Sequence, residues 1–216
     1  MCIRDSLSTE ATTLDDSKMA PLQMNVADAA STQSGIDKII AKYGRLDCVV
    51  NSAGIGNDIP FLDTPLELFD KIIAVNLRGT FIVGQAAARA MVKTGGGAIC
   101  NIASVSGMTG NVGRSAYGAS KGGVVVLSKV MAVDLAAQNV RVNVLSPGPV
   151  ETPLVAKMHT GFIRKRWIER TPMARYASPE EMTGGAVFLC SDDAGYVTGH
   201  VLAIDGGMMG SGLTAA

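Results

Sequence analysis

The sequence has few of the features that mark nucleic-acid-binding, metal-binding or disulfide-rich proteins. Its 19 basic residues are matched by 19 acidic residues, so the net charge gives no reason to expect nucleic acid or an anionic membrane as a partner. The 4 cysteines contain no CxxC pair, and the 2 histidines, His159 and His200, are far apart in the sequence. We therefore expect neither a metal site nor a disulfide framework.

Long uninterrupted hydrophobic segments are also missing. The longest apolar tract, residues 122–137, contains Lys129 and Asp134, and the N-terminus lacks the apolar region of a signal peptide. With 47% hydrophobic residues in a chain of 216, one α/β domain can still bury a sizeable core. These features predict a cytoplasmic protein that acts on a small molecule, without a membrane or nucleic-acid partner.

Short apolar runs alternate with longer helical patterns along the chain. Such runs, apolar on both faces, are typical of a parallel sheet covered by helices. Capping signals at residues 64–67 and 178–181 indicate where two of the helices begin. The pattern predicts an α/β fold with a doubly wound parallel sheet, whose ligand site lies at the carboxyl ends of the strands. The predicted strands are residues 22–26, 46–53, 98–104, 140–146 and 201–205.

A serine, a tyrosine and a lysine have the spacing of an acid–base site. Ser104 ends a predicted strand, Tyr117 follows a glycine-rich turn, and Lys121 shares a predicted helix face with the tyrosine. To exchange a proton with an alcohol oxygen near neutral pH, the tyrosine needs its pKa lowered by roughly 3 units from about 10. A lysine cation about 5 Å away would lower that pKa by on the order of 2 units, whereas burial of the phenol would raise it.

Two other interpretations of this region stay open on the residues alone. A tyrosine four positions before a lysine occurs by chance in many helices, as an exposed lysine beside a half-buried tyrosine. The glycines of residues 106–113 could also form a phosphate-binding loop, although the segment matches neither common phosphate-loop pattern. The alternative is that this segment only connects Ser104 to the helix of Tyr117.

Six short segments follow one another in a characteristic order: NSAG (51–54), VNLRGTF (75–81), NIASVSG (101–107), YGASK (117–121), SPGPVET (146–152) and DGG (205–207). In this order they resemble the short-chain dehydrogenase/reductase family, and the resemblance extends from about Leu22 to Gly207. Within the family, the sequence looks most like the 3-oxoacyl-[acyl-carrier-protein] reductases and their relatives. The resemblance implies a Rossmann-like fold and an NAD(P)-dependent oxidoreductase that interconverts a ketone and a secondary alcohol.

The resemblance also implies a role for each catalytic residue. Tyr117 would be the general acid/base, and Lys121 would modulate its pKa and bind the ribose of the nicotinamide. Ser104 would orient the substrate oxygen, and Asn76 would anchor a water relay to the lysine. Hydride transfer would be supplied by the cofactor.

The expected cofactor is NAD or NADP. By resemblance, the adenosine half would be bound by Asn51, Ala53 and Gly54, with Asn25 and Val26 beside the adenine. The nicotinamide half would be bound by Tyr117 and Lys121 together with Pro147, Gly148, Val150 and Thr152 of the segment SPGPVET. Alternatively, Asn25 and Asn51 could cap turns, and the two prolines of that segment could only shape a loop.

The glycine-rich turn that receives the cofactor pyrophosphate in the family is missing, because no glycine precedes Gly35. We therefore interpret residues 1–21 as an N-terminal remnant, and residues 22–216 as one Rossmann-like domain without its first βαβ unit. The segment 22–26 should then detach from the sheet or slide to pair with residues 46–53. The chain as given should bind NAD(H) or NADP(H) poorly. Arg4 and Asp5 give no basis for choosing between NAD and NADP.

A second hypothesis is a catalytically silent fragment or assembly subunit. The substrate of an active enzyme would be a small carbonyl or alcohol compound, free or attached to a carrier protein. Residues 154–177 are predicted to cover the pocket, and the basic cluster at 164–166 could contact an acidic carrier protein or simply face solvent. By resemblance, helices 65–93 and 116–138 would form a homodimer or homotetramer.

Overall fold

The sheet is parallel throughout, and helices cover both of its faces. The computed structural model describes residues 2–3 and 21–212. The strands are β1 (Cys2–Ile3), β2 (Cys48–Asn51), β3 (Gly97–Ile102), β4 (Val140–Pro147) and β5 (Val201–Ile204). The α-helices are α1 (Ala29–Tyr43), α2 (Leu66–Ile73), α3 (Gly79–Lys93), α4 (Ser115–Leu135), α5 (Pro153–Met158), α6 (Gly161–Arg170) and α7 (Glu180–Cys190).

The strand order is β1-β2-β3-β4-β5, and every neighbouring pair is parallel. Four of the five predicted strands are present, with ends that differ from the prediction by up to two residues. Consecutive residues alternate between the two faces, so that Val49 and Ile99 pack on one side while Cys100 and Leu145 pack on the other. The predicted α/β fold with a covered parallel sheet is therefore confirmed.

The prediction of a strand at residues 22–26 was wrong. The segment has no strand pairing, and the neighbour of β2 on that side is β1, with Cys2 opposite Val50. Because β1 occupies that edge of β2, residues 22–26 are detached from the sheet, which is one of the two outcomes expected for them, although Met24 and Val26 still bury their side chains in the core. Residues 1–21, which were interpreted as an N-terminal remnant and include Arg4 and Asp5, lie mostly outside the described residues.

Helices α1, α3 and α4 contribute to the larger core cluster, on one face of the sheet, whereas α7 covers the other face. On α3 the buried positions include Val83, Ala87 and Met91, which recur at the four-residue spacing of one helix face. The small alanines of this helix let it lie close to the strands. This packing fixes the positions of the strands, at whose carboxyl ends the functional residues were predicted.

A π-helical turn, Ala74–Arg78, separates α2 from α3. The amide of Gly79 donates to the carbonyl of Ala74, five residues earlier, and the hydroxyl of Thr80 donates to the carbonyl of Asn76 at 2.7 Å. Turns of this kind occur mostly as single-turn bulges, frequently at functional sites. Here the bulge contains Asn76, a predicted site residue.

Of the two predicted capping boxes, the one at α7 is formed in part and the one at α2 is not formed. The carboxylate of Glu181 accepts a hydrogen bond from the amide of Ser178 at 2.8 Å, which is half of the predicted capping box of α7. At α2 the box is not formed, because the hydroxyl of Thr64 donates instead to the carbonyl of Pro60 at 3.0 Å.

No disulfide framework was expected, but one disulfide is present among the described residues. Cys48 at the start of β2 is joined to Cys190 at the end of α7, with Cα atoms 5.9 Å apart, a separation typical of disulfides. The two residues are 142 positions apart in the sequence. Only the packing of α7 against the sheet brings them together, and sequence spacing carries no sign of that packing.

Two adjacent glycines of α7 give a test of this packing. A methyl group on Gly184 would lie in open space, whereas a methyl group on Gly185 would overlap Cδ1 of Ile204 and lie 3.3 Å from Cδ1 of Leu145. We expect Gly184→Ala to raise the free energy of unfolding by about 1 kcal/mol through helix propensity. Gly185→Ala should instead lower it by roughly 1–3 kcal/mol through overpacking. Urea denaturation measures both, and equal stabilisation by the two variants would contradict this account of α7.

Candidate active site

The predicted catalytic residues meet at the carboxyl edge of the sheet. Ser104 follows β3 and its hydroxyl accepts a hydrogen bond from the amide of Ser106, within the short 3-10 helix Val105–Gly107. Tyr117 lies in the first turn of α4, and Lys121 lies one turn further along. Asn76 is in the π-helical turn before α3. Three segments that are distant in sequence thus contribute one cluster.

The phenol of Tyr117 is packed between backbone and charged side chains. A Cβ atom on Gly56 would lie 3.0 Å from the tyrosine ring, so the loop after β2 approaches the ring closely because residue 56 has no side chain. Burial raises the pKa of Tyr117, while a hydrogen bond with the Ser104 side chain and the charge of Arg114 act in the opposite direction. The expectation that a neighbouring cation would leave the tyrosine with a lowered pKa is therefore not met, because burial dominates.

Lys121 is only 5% exposed, which is unusual for a lysine. Its ammonium donates to the carbonyl of Ile102 at 2.7 Å and lies 5.9 Å from the centroid of the Tyr117 ring. Burial lowers the pKa of Lys121 from 10.5 to about 8. The interpretation of this residue as an exposed surface lysine is excluded by its burial and by this hydrogen bond.

Asn76 is fully buried, and its amide is held at both ends. Its Oδ1 accepts from the amide of Ile55 at 2.8 Å, and its Nδ2 donates to the carbonyl of Ile55 at 2.8 Å and to Oγ of Ser120 at 3.0 Å. A Cβ atom on Gly54 would lie 3.5 Å from both Oδ1 of Asn76 and Nζ of Lys121. The asparagine is therefore next to the lysine and fixes the loop after β2.

Ser120 is a site residue that the sequence analysis missed. It is buried, and besides accepting from Asn76 its hydroxyl donates to the carbonyl of Tyr117 at 2.8 Å. The serine thereby links the π-helical turn to the first turn of α4. Its position between Tyr117 and Lys121 was visible in YGASK, but a serine inside a helix carries no specific signal.

The residues predicted to contact the adenosine half lie at the end of β2. Asn51 is buried and donates to the carbonyl of Thr80 at 3.3 Å, so its amide also serves to tie β2 to α3. Ala53 is buried, and Gly54 faces Lys121 and Asn76. The small residues at positions 53 and 54 leave the carboxyl edge of β2 open beside the catalytic cluster.

The segment after β4 reaches the same edge. Gly148 lies against the start of the DGG turn, where a Cβ atom would be 2.8 Å from Cα of Asp205. Val150 forms an isolated parallel bridge with Ala177, and the hydroxyl of Thr152 accepts from the amide of Val155 to cap α5. Pro147 ends β4. These residues thus shape the loop, and their predicted contacts with the cofactor stay a prediction.

Asn25 and Val26 lie on the segment that is not a strand. The side chain of Asn25 accepts a hydrogen bond from the amide of Ala27 at 3.0 Å, which is the turn-capping alternative for this residue. Val26 is 2% exposed and packs against Gly79 at the start of α3. Their predicted contact with adenine stays a prediction.

The glycine-rich segment 106–113 packs tightly against the helix of Tyr117. A Cβ atom on Gly107 would lie 2.6 Å from the carbonyl carbon of Lys121, so this glycine permits backbone contact between the 3-10 helix and α4. Gly113 has a φ of 75° and its carbonyl accepts from the amide of Ile59 at 3.0 Å. These contacts favour the connector over the phosphate loop.

A second buried polar cluster lies beside Tyr117 and was also missed. Arg114 forms an ion pair with Asp58 and a 2.6 Å hydrogen bond with Nε2 of His159, whose Nδ1 is 2.8 Å from the hydroxyl of Tyr176. The ring of His159 stacks on Trp167 with centroids 5.5 Å apart. These residues come from separate segments of the chain, so no local sequence signal could have grouped them.

Other chemistries find little support in the part of the chain that the structure describes. Within residues 21–212 no three or more histidine, cysteine or acidic side chains are grouped as a metal site requires. Burial raises the pKa of Cys100 to about 12, so this thiol is not a nucleophile at neutral pH. None of the helices in the described part is long and apolar enough to cross a bilayer.

Known proteins resemble this chain in both sequence and fold. Residues 3–209 match the family model described as "Enoyl-(Acyl carrier protein) reductase". The 3-oxoacyl-[acyl-carrier-protein] reductase FabG of Thermotoga maritima is 41% identical over 205 residues, which cover 95% of this chain and 82% of the relative. The D-threitol dehydrogenase of Mycolicibacterium smegmatis is 43% identical over 183 residues, covering 85% of this chain and 70% of that protein.

Among solved structures, a gluconate 5-dehydrogenase from Burkholderia cenocepacia, in complex with NADP and tartrate, superimposes with a TM-score of 0.90 at 32% identity. That match covers 98% of this chain and 86% of the other. At this coverage the similarity includes the sheet, both helical layers and the segments that carry Asn76, Ser104, Tyr117 and Lys121. The chain therefore belongs to the short-chain dehydrogenase/reductase family of NAD(P)-dependent oxidoreductases.

Proposed function

We propose that this protein interconverts a ketone and a secondary alcohol, with Tyr117 as the general acid/base. The observation that carries the proposal is the placement of the Tyr117 phenol at the carboxyl edge of the sheet, beside the Ser104 side chain and one helical turn from the buried ammonium of Lys121. In reduction, the phenol would donate its proton to the carbonyl oxygen. In oxidation, the phenolate would accept the alcohol proton. Ser104 would hold the substrate oxygen in both directions.

The nicotinamide end of an NAD or NADP molecule fits the residues at this edge. A side chain at Gly54 would fill the space in front of Asn76 and Lys121, so the glycine leaves room for a ribose whose hydroxyls Lys121 could bind. When bound, the cofactor supplies the hydride. At the pyrophosphate end, no glycine precedes Gly35, and weak binding of the cofactor by the chain as given stays a prediction.

The relatives do not indicate one substrate, since they are named for a 3-oxoacyl carrier protein, for D-threitol and for gluconate. The basic cluster on α6 gives little support for an acidic carrier protein. Arg164 is paired with Glu151, and Lys165 is 3.9 Å from Glu169. We therefore propose a small carbonyl or alcohol compound, free or carrier-bound. Location in the cytoplasm also stays a prediction.

The role of Tyr117 can be tested by removing only its hydroxyl. Tyr117→Phe keeps the ring that packs on Gly56 but removes the proton donor, so turnover should fall by about 10²–10⁴-fold. Turnover is followed by nicotinamide absorbance, with a panel of ketones and alcohols and with cofactor at saturating concentration. Tyr43→Phe, at an exposed tyrosine on α1, is the matched control and should keep full activity. No turnover in the unsubstituted protein at a cofactor concentration shown to saturate it would favour the catalytically silent alternative. Near-normal rates in Tyr117→Phe would reject the assignment.

Lys121 should make stability depend on pH. Its pKa is about 8 in the folded protein and 10.5 in the unfolded chain, so the unfolded chain holds more protons between these values. The free energy of unfolding should rise with pH through this window by up to about 3 kcal/mol, and this rise should disappear in Lys121→Met. Urea denaturation from pH 7 to 10.5 measures it, with Lys129→Met on the exposed face of the same helix as the control. A rise of equal size in both variants would contradict the assignment.

The same substitution separates a functional lysine from a structural one. In Lys121→Met, loss of the cation disfavours the phenolate, so the pH–rate profile of alcohol oxidation should move to higher pH and the Kd for the cofactor should rise. An unchanged profile together with an unchanged Kd would assign Lys121 to the fold alone.

We also propose that α3 and α4 bury a face against a second copy of the chain. On α4, Val126, Val130 and Val133 are 62%, 51% and 78% exposed and recur at helical spacing on one face. Phe81 on α3 is 46% exposed. Solvated apolar stripes of this kind mark association surfaces.

Introducing a charge on this stripe should dissociate the assembly. We expect the parent protein to sediment as a dimer or tetramer at micromolar concentration and Val130→Asp to shift it to smaller species. Tyr43→Asp, at another exposed position, should leave the sedimentation coefficient unchanged. A parent protein that sediments as a monomer would refute the proposal.

A further inference from the structure

Arg114 is buried beside Tyr117, although the proton transfer proposed above does not use it. Its guanidinium carbon lies 5.2 Å from the centroid of the tyrosine ring, and the residue is 8% exposed. Arg114 is the N-terminal flanking residue of α4, and its carbonyl accepts from the amide of Gly118 at 2.6 Å. The arginine backbone is therefore fixed in the same helical turn that carries the tyrosine.

Two side chains from other segments hold the guanidinium in place. Asp58, in the loop after β2, pairs with it through both carboxylate oxygens. Nε2 of His159, after α5, lies 2.6 Å from the Nη2 atom of Arg114. Since a guanidinium only donates, Nε2 must accept, and Nδ1 carries the proton that is donated to Tyr176.

The groups around Tyr117 differ in whether they carry a charge. Burial and the charge of Arg114 lower the pKa of His159 to about 4, so the histidine is neutral and adds no charge. The ammonium of Lys121 is bound to a carbonyl at the end of β3, on the strand side of the ring. Tyr176 is a neutral phenol whose pKa burial raises. The charged groups near the Tyr117 ring are thus Arg114 and Lys121, and the carboxylate of Asp58 pairs with Arg114 behind it. The neutral side chain of Ser104 is beside the phenol.

We propose that Arg114 is a positioning residue for Tyr117, held by Asp58 and His159 so that its guanidinium fixes the phenol ring and favours the phenolate during alcohol oxidation. The inference deepens the proposed function and rests on the role of Tyr117 in it. It also gives the loop after α5 a part in the site, because His159 and its stacking partner Trp167 belong to the segment predicted to cover the pocket. The arginine thereby connects that segment to the acid–base residue.

Two variants test this inference, one that removes the cation next to Tyr117 and one that removes the anion paired with that cation. Arg114→Met removes the cation and should move the pH–rate profile of alcohol oxidation to higher pH, with turnover lower by about 10²-fold through loss of ring positioning. Arg114→Lys keeps a cation and should restore most of the profile. Asp58→Asn removes the compensating anion while His159 still holds the guanidinium, and it should move the profile to lower pH. A loss of packing alone would not shift the two profiles in opposite directions.

A second readout needs neither cofactor nor substrate. Stopped-flow pH jumps, followed by phenolate absorbance, give the ionisation of Tyr117 as the difference between a protein and its Tyr117→Phe counterpart. This ionisation should move to higher pH in Arg114→Met and to lower pH in Asp58→Asn. If it does so but no protein turns over, the proposed function fails, while the control of the Tyr117 ionisation by Arg114 is still supported.

Either of two results would overturn the inference. The ionisation of Tyr117 could be the same in the parent and in Arg114→Met, or it could move in the same direction in Arg114→Met and Asp58→Asn. Far-ultraviolet circular dichroism of each variant checks that it is folded. If Arg114→Met does not fold, Arg114→Lys and Asp58→Asn still decide, because the first should leave the ionisation near the parent value and the second should lower it.

Discussion

The buried ammonium of Lys121 is the constraint on which the rest of the site depends. An ammonium without water needs an acceptor, and the carbonyl of Ile102 at the end of β3 provides it at 2.7 Å. For the lysine to reach that carbonyl, α4 must lie against the strand end, and this is possible because Gly107 has no side chain between them. The same approach places Tyr117, one turn earlier on α4, over Ser104 at the end of the strand.

Burial acts on the two titratable groups in the same sense, because it favours the neutral form of each. It raises the pKa of Tyr117 and lowers that of Lys121 to about 8. A phenol that starts neutral suits donation of a proton to a carbonyl oxygen. For the proposed reverse direction the phenolate would have to be stabilised, and the groups near it that could do so are the Ser104 side chain, the guanidinium of Arg114 and the ammonium of Lys121.

The sequence was most informative where a residue type and its order along the chain carry the signal. Four of the five strands were predicted to within two residues, and the residues expected to be catalytic do lie together at the carboxyl edge of the sheet. The prediction of a strand at residues 22–26 was wrong. The side chains of this segment alternate between buried and exposed as in a strand, with Met24 and Val26 buried, but its backbone is not paired with a neighbouring strand. The pairing of Cys48 with Cys190 and the grouping of Asp58, Arg114 and His159 depend on tertiary packing alone, which periodicity does not report.

The π-helical turn has a consequence for the register of the helix that contains it. A hydrogen bond from residue 79 to residue 74 encloses one residue more than a regular helical bond does. Each residue of an α-helix turns the chain by about 100°, so residues 79–93 are out of phase with residues 66–73 by roughly that angle. A helical wheel drawn through residues 66–93 would therefore assign the wrong face to one half. Deleting one residue of Ala74–Arg78 would bring the two halves into phase, but it would rotate Asn76 away from either Ile55 or the helix that supports it.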